Sequence, residues 1–380
     1  MRIVQVAWLP FRIPYAATFT TAHGSESARY GAIIRVTADD GRVGLGEASP
    51  LPAFGAGTID DTLRQIADLA PRMIGRPLDV GLALLDRLDY AMAGLAAAAC
   101  GFDTALLDLR AQAAGLQLAK LLAPEARAAV PVNATVGMAD TAAACRAAGR
   151  AANIGIECVK LKVGIASSRE SELARIAAVR AALGTNIRLR LDANGAWEPA
   201  EAIAIIGAAE RYDLEFVEQP VAANDLAGMA HVRASVSTPI AADESMSGPE
   251  QAAKILSSGA ADLLIVKPMI AGGLRRARDI IGQAQSAGLQ TLVTTTIDAG
   301  VGVAAALHLA ATLPVPLACG LATGTLLAGD LIAQPIVVRN GAIRLSDQPG
   351  LGVRVDERQA AMYASAWQEV ATDTESSSAL

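Results

Sequence analysis

Aromatic side chains are scarce in this chain of 380 residues, where Phe, Trp and Tyr together make up 3%. A core short of rings must be closed with alanine and branched aliphatics. The hydrophobic residues reach 52%, enough for a large core. Cysteine is equally sparse. Cys100, Cys145, Cys158 and Cys319 stand far apart, with no CxxC pair and no Cys/His cluster. That spacing excludes a disulfide framework and a thiolate zinc site, and it fits a reducing cytosol, so a cytoplasmic location is expected. Basic blocks are missing and the net charge is −6, which points away from nucleic acid and anionic membranes. The N-terminal MRIVQVAWLPFRIPY contains no long apolar run, so no signal peptide is expected. The apolar stretch from Thr291 to Leu327 is broken by Asp298, His308 and two prolines, and it reads as a buried wall rather than a membrane span.

Lysine is scarce too. Of 32 basic residues only five are lysine, at 120, 160, 162, 254 and 267. Two of them share the short apolar segment CVKLKVG, on one face of the strand it predicts. The bland reading is chance, or two side chains snorkelling from a strand end. The chemical reading starts from a difference between the two basic residues. Arginine keeps its proton, whereas a buried lysine can release one near neutral pH.

The first 125 residues predict an α+β unit. MRIVQVAWLPF, RYGAIIRVTAD and GRVGLGEA read as strands, followed by helices over about 59–71, 81–93 and 97–116. From 126 to 325 short apolar runs alternate with alanine-rich helices such as 169–183, 199–210, 249–258 and 272–287. The runs are VPVNATV, ECVKLKV, IRLRLDA, LEFVEQP, TPIAADES, ADLLIVKP, QTLVTTT and PLACGLA. Eight strand–helix alternations predict a (β/α)8 TIM-type barrel. A doubly wound open sheet is the alternative, disfavoured because no GxGxxG follows an early strand. QPIVVRNGAIRL reads as a strand pair around an Asn-Gly turn, packing with 326–370 back on the first unit. Residues 371–380 are small and polar and read as a disordered tail.

Charged residues end the barrel strands in series. Lys162, Asp192, Glu218, Asp243 and Lys267 fall 30, 26, 25 and 24 residues apart, each a βα repeat. All therefore return to the C-terminal rim, where such barrels build active sites. Asp192, Glu218 and Asp243 converge from neighbouring strands and would repel without a cation. Hard oxygen ligands favour Mg²⁺. A divalent ion flanked by Lys162 and Lys267 suits removal of a proton next to a carboxylate, with the metal stabilising the enediolate. Lys160, beside Lys162, can favour the neutral form of its neighbour and pair with a substrate carboxylate. Any one of these carboxylates alone would read as a loop residue or helix cap. Asn194 and Glu244 read as supporting or capping residues. His23, His231 and His308 do not cluster, and His308 reads as a packed or surface residue. RRAR at 275–278 reads as a solvated helix face, and TTTIDAG at 294–300 as either a border of the site or a core strand ending in a turn.

KLK (160–162), LDANGAW (191–197), VEQP (217–220), ADES (242–245) and VKP (266–268), together with DDGRVGLGEASPLPAFG, resemble the enolase superfamily in its muconate-lactonizing-enzyme-like branch over most of the chain. The resemblance implies a modified (β/α)8 barrel with an α+β N-terminal capping domain completed by the C-terminal segment, Lys162 and Lys267 as acid/base pair, and Mg²⁺ on Asp192, Glu218 and Asp243. It implies substrate-covering loops near 18–26 and 50–57. Thr20, His23 and Phe54 are the candidate contacts there, with Thr296, Gly320, Leu321 and Ala322 at the ends of the last two strands. Expected partners are a small carboxylate substrate and further copies of the chain.

Within the branch, GEASPLPAFG, VKPMIAGGL and GLATGTLLAGDL are similar to o-succinylbenzoate synthases. That similarity implies syn dehydration of 2-succinyl-6-hydroxy-2,4-cyclohexadiene-1-carboxylate in menaquinone biosynthesis, with Ala322 departing from a common glycine. Lys162 would remove the proton and return it to the departing hydroxyl, while Lys267 stays cationic. The alternative is a dipeptide epimerase or N-succinylamino acid racemase using both lysines on opposite faces. Dipeptide epimerases usually carry Asp-x-Asp at the eighth strand, where this chain has Ala318, Gly320 and Ala322. A non-catalytic barrel scaffold is the alternative of another class, and the intact lysines and carboxylates argue against it.

Overall fold

The computed structural model describes residues 1–21 and 24–372, of 17–21 and 24–26 the backbone only. Three antiparallel strands open the chain: β1 (Ile3–Thr21), β2 (Gly24–Ala38) and β3 (Val43–Ala48). The β1–β2 register shifts between Pro14 and Phe19, where proline cannot donate to a ladder. The helix Ile59–Met73 starts at a capping box between Thr58 and Asp61. The helix Leu95–Ala114 lies against β3 so closely that a Cβ at Gly44 would sit 2.1 Å from the Ala105 carbonyl oxygen, and one at Gly46 1.9 Å from that of Gly101. The spaced glycines of GRVGLGEA are therefore a contact surface for that helix.

A short strand, β4 (Ala129–Pro131), leads into the barrel, whose seven regular strands are β5 (Ala134–Val136), β6 (Cys158–Lys162), β7 (Arg188–Asp192), β8 (Leu214–Glu218), β9 (Ile240–Ala242), β10 (Leu263–Val266) and β11 (Gln290–Val293). Strands β5 to β11 form one parallel sheet in chain order. The eighth position is not a regular strand. Residues around Cys319 and Gly320 close the ring through single bridges, Val132 to Cys319 and Thr294 to Gly320. A short turn, Gly324–Leu326, follows in place of an eighth helix. The barrel is thus a modified one, and a doubly wound sheet is excluded.

Other expectations need correction. The helix placed at 81–93 is Leu78–Leu85. Barrel residue Arg275 donates to the Leu82 carbonyl, and Asp89 accepts from the Ala91 N–H, so the chain turns early. The Asn-Gly turn does form, with Asn340 and Gly341 at φ 49° and 71° and a single Arg339–Ala342 bridge, but 335–338 is not a strand, so the expected strand pair is not made. Its strand β12 (Ala342–Arg344), however, pairs with β4 at the barrel and not with the first unit. The fourth strand of the first sheet is β13 (Gln368–Ala371), on β1, so Ala371 belongs to a strand. Residues 373–380 lie outside the described residues. Among the described residues no helix is long and apolar enough to cross a membrane.

His308 is a packed residue. Its Nδ1 accepts from the Ala119 N–H at 2.9 Å and its Nε2 lies 3.1 Å from the Leu351 carbonyl, joining a barrel helix to two flanking segments. Burial pushes its pKa down to about 4 from an ordinary 6.5. The unfolded chain therefore binds a proton that the folded one refuses, and stability present above pH 6.5 is lost as pH falls towards 4. Urea unfolding at pH 7 and pH 4 should show wild type losing about 3 kcal/mol more than His308→Leu. An identical pH dependence in both would contradict a buried neutral imidazole.

Candidate active site

The site is assembled by strand register. In β6, Lys160 and Lys162 share the inner face while Val159 and Leu161 are fully buried on the other. Lys162 pairs in the ladder with Asp192, and Asp192 with Glu218, so three strand ends stand level. Asp243 follows β9 and Lys267 follows β10. Lys160 Nζ donates to Asp192 Oδ2 and Glu218 Oε1, both at 2.8 Å. Lys162 Nζ donates to the same Asp192 oxygen at 2.6 Å and to Asn194 Oδ1 at 2.8 Å. Lys267 pairs with Asp243, and its Nζ lies 4.3 Å from the centre of the Phe54 ring. Asn194 Nδ2 donates to Glu244 Oε1 at 2.7 Å, which completes a line from Lys162 to Glu244. Lys160, Lys162, Lys267, Asp192, Glu218, Asp243, Asn194, Glu244 and Phe54 thus come together.

The three strand-end carboxylates are almost wholly buried. For Asp192 burial alone would raise the pKa, but Lys160 and Lys162 overcome it and hold the carboxyl well below the usual range. Burial and then Asp192 push Glu218 up to about 8. Asp243 and Glu244 are raised, first by burial. Burial opposes the charge on Lys160, yet Asp192, Glu218 and Asp243 prevail and its pKa is raised.

In this arrangement the ammonium groups neutralise the acids. Among the described residues no three His, Cys, Asp or Glu side chains close on one another as a ready-made metal centre. The donor set nevertheless fits a hard divalent cation. Asp192, Glu218 and Asp243 supply only oxygen from adjacent strand ends, and Glu244 Oε2 is buried without a partner.

The remaining candidates divide. Thr296 is buried with its hydroxyl committed to Asp298 and Arg29. Leu321 is a core side chain, Ala322 packs against that core, and the Gly320 carbonyl accepts from Thr294 and Thr295. The side chain of Thr20, and His23, lie outside the described residues. RRAR is not a solvated face. Arg275 Nε reaches Asp103 Oδ1 of the capping domain at 2.5 Å, and Arg276 stacks on Tyr90 at 3.8 Å. Only Arg278 of the three is exposed.

Sequence reasoning missed Gln219. Its Oε1 accepts from the Asp243 and Ser245 N–H groups, both at 3.1 Å, and its Nε2 donates to Ser245 Oγ at 2.9 Å. It fixes the exit of β9 from the exit of β8, at φ 39°. The QP after Glu218 was the available signal for a special turn. The pair of buried Arg190 and half-buried Glu215 lower in the barrel, 2.5 Å apart beside a register shift between β7 and β8, was also missed.

Known proteins resemble this chain over most of its length. Residues 2–123 match the family described as mandelate racemase / muconate lactonizing enzyme, N-terminal domain, and residues 140–359 the family described as enolase C-terminal domain-like. The L-Ala-D/L-Glu epimerase of Bacillus subtilis (strain 168) is 32% identical over 93% of this chain and 97% of its own. The o-succinylbenzoate synthase of Thermobifida fusca (strain YX) is 38% identical over 64% of this chain and 78% of its own. The structure of a dipeptide epimerase from Enterococcus faecalis V583, complexed with Mg and the dipeptide L-Leu-L-Tyr, superposes with a TM-score of 0.87. It is 30% identical and covers 93% of this chain and 99% of that one. The chain belongs to the enolase superfamily, in its muconate-lactonizing-enzyme-like branch.

Proposed function

We propose that the protein interconverts the two configurations at the carbon beside a carboxylate, on an N-acylated amino acid or a dipeptide, with Asp192, Glu218 and Asp243 holding Mg²⁺. One observation carries this reading. Lys162 and Lys267 flank the carboxylates from β6 and from the end of β10, each hydrogen-bonded to a different one. Inversion needs a base on each face of the carbon. One lysine enters neutral and takes the proton, and the other enters as ammonium and delivers one to the opposite face, so their charges exchange over a turnover. Mg²⁺, when bound, polarises the substrate carboxylate and offsets its growing charge. Asn194 holds Lys162 in place, and Gln219 fixes the backbone that carries Asp243.

The order of the sequence-based expectations is thereby reversed. The epimerases of B. subtilis and E. faecalis match over 93% of the chain, the latter solved with Mg and a dipeptide, against 64% for the synthase. The closing segment still favours a substrate without a free ammonium. Ala318, Gly320 and Ala322 offer it no carboxylate, which makes an N-acylated amino acid the better fit.

The same absence supports the synthase as the second reading, together with the 38% identity to the T. fusca enzyme. Chiral chromatography after incubation with Mg²⁺ and a panel of N-succinylamino acids and dipeptides separates the two. Approach to a mixture of configurations is expected. Retention of one configuration throughout, with loss of diene absorbance from the cyclohexadiene substrate, would install the synthase instead.

A further inference from the structure

Arg29 is a capping-domain residue on β2, 2% exposed, and it joins the root of the second covering loop to the end of the seventh barrel strand. Its Nη1 donates to the Pro50 carbonyl and its Nη2 to the Ser49 carbonyl, each at 2.5 Å. Nη2 also reaches Thr296 Oγ1 at 3.2 Å, and Nε the Ile297 carbonyl at 3.3 Å. One planar fork therefore spans two domains with four acceptors, a task lysine cannot copy.

Both ends of this joint are themselves fixed. Ile297 has φ 64°, a left-handed conformation that a β-branched residue adopts only when its surroundings impose it. Its N–H donates to Thr295 Oγ1 at 3.3 Å, and Asp298 holds Thr296. On the capping side Glu47 accepts from Ser49 Oγ at 2.6 Å and from the Ala299 and Gly302 N–H groups at 2.8 and 2.7 Å, so it caps the barrel helix Gly300–Ala310. The Ser49 N–H points at Met269 Sδ, 3.1 Å away, two residues beyond Lys267. Five residues further along the loop, the Phe54 ring lies over the Lys267 ammonium. An open surface pocket of about 350 Å³, lined by Arg29, Tyr30, Pro50 and Pro52, adjoins the joint.

We propose that Arg29 is a positioning residue that fastens residues 49–54 to the seventh strand, so that Phe54 confines Lys267 and leaves Lys162 unaffected. The kinetic part rests on the two-lysine reading above, and the structural part does not. Lys162 is held by Asn194 and Asp192, neither of which touches this joint.

The test uses metal-loaded Arg29→Met, Phe54→Leu and Phe54→Tyr proteins and two readouts. The first is amide hydrogen exchange of peptides spanning 49–57, which needs no turnover. The second is α-proton exchange in D2O, followed separately for each enantiomer, with Lys267→Ala identifying the one that Lys267 serves. Arg29→Met should speed amide exchange in 49–57 by about tenfold or more. Arg29→Met and Phe54→Leu should each slow the Lys267-dependent enantiomer about tenfold and the other less than about threefold. Phe54→Tyr, which keeps the ring, should restore the rate. Unchanged amide protection in Arg29→Met, or an equal fall for both enantiomers in Phe54→Leu, overturns the proposal. If wild type exchanges neither enantiomer, the reading of function fails, and amide protection alone decides the role of Arg29.

Discussion

Lys162→Ala and Lys267→Ala should each lower the rate of interconversion by about 10²–10⁴-fold, the range a positioned general acid or base supplies. Because each lysine acts on the proton in flight, kcat and kcat/KM should fall together with little change in KM. The steady-state measurement is made from both configurations of one substrate. Loss in both directions is expected from either variant, since an inversion requires both partners. Interconversion that survives loss of Lys267 but not of Lys162 would show a single base and contradict the paired roles of the two lysines.

The second large effect is on stability. Asp192 is wholly buried and, among the described residues, is the only acid paired with both Lys160 and Lys162. Asp192→Ala leaves two neighbouring ammonium groups, with Glu218 the remaining ion-pair partner of Lys160 and Asn194 the remaining hydrogen-bond partner of Lys162. Breaking a buried pair from one side costs about 3–5 kcal/mol, and here the partly exposed lysine side chains favour the lower end, about 3 kcal/mol. Urea unfolding of chelator-treated protein measures it. The surface pair Arg344–Asp347, 3.9 Å apart with both side chains largely exposed, is the control. Asp347→Ala should cost about 1 kcal/mol or less. Similar losses for the two substitutions would show that the rim acids are not the electrostatic centre of the fold.

Much of the site was legible because its signals are periodic and of fixed chemical type. The level row of Lys162, Asp192 and Glu218 follows from βα-repeat spacing, which any closed parallel barrel must obey. The three opening strands and the helix read over about 59–71, found at Ile59–Met73, follow from local pattern. What escaped depends on tertiary contact. RRAR looks like a polar helix face until Asp103 and Tyr90 of another domain meet it. The Asn-Gly turn specifies a hairpin but not which strand it will join, and β4 was too short to announce itself. Thr296 looks like a substrate contact by position, yet Arg29, some 270 positions away in the chain, occupies its hydroxyl. The eighth run, PLACGLA, reads as an apolar strand, but Gly320 is pressed against Thr294, where a Cβ would lie 2.3 Å from the hydroxyl oxygen, and only single bridges form among the described residues.

The most direct measurement of the central claim is the isotopic fate of the α-proton. One pure configuration of an N-succinylamino acid is incubated with wild-type protein and Mg²⁺ in D2O and followed by proton NMR and chiral separation. Two-lysine inversion predicts that product of the opposite configuration carries deuterium at the α-carbon from the first turnover. Deuterium appearing only in recovered starting material, with no product of the opposite configuration, would show proton removal on one face alone and contradict the paired roles of Lys162 and Lys267.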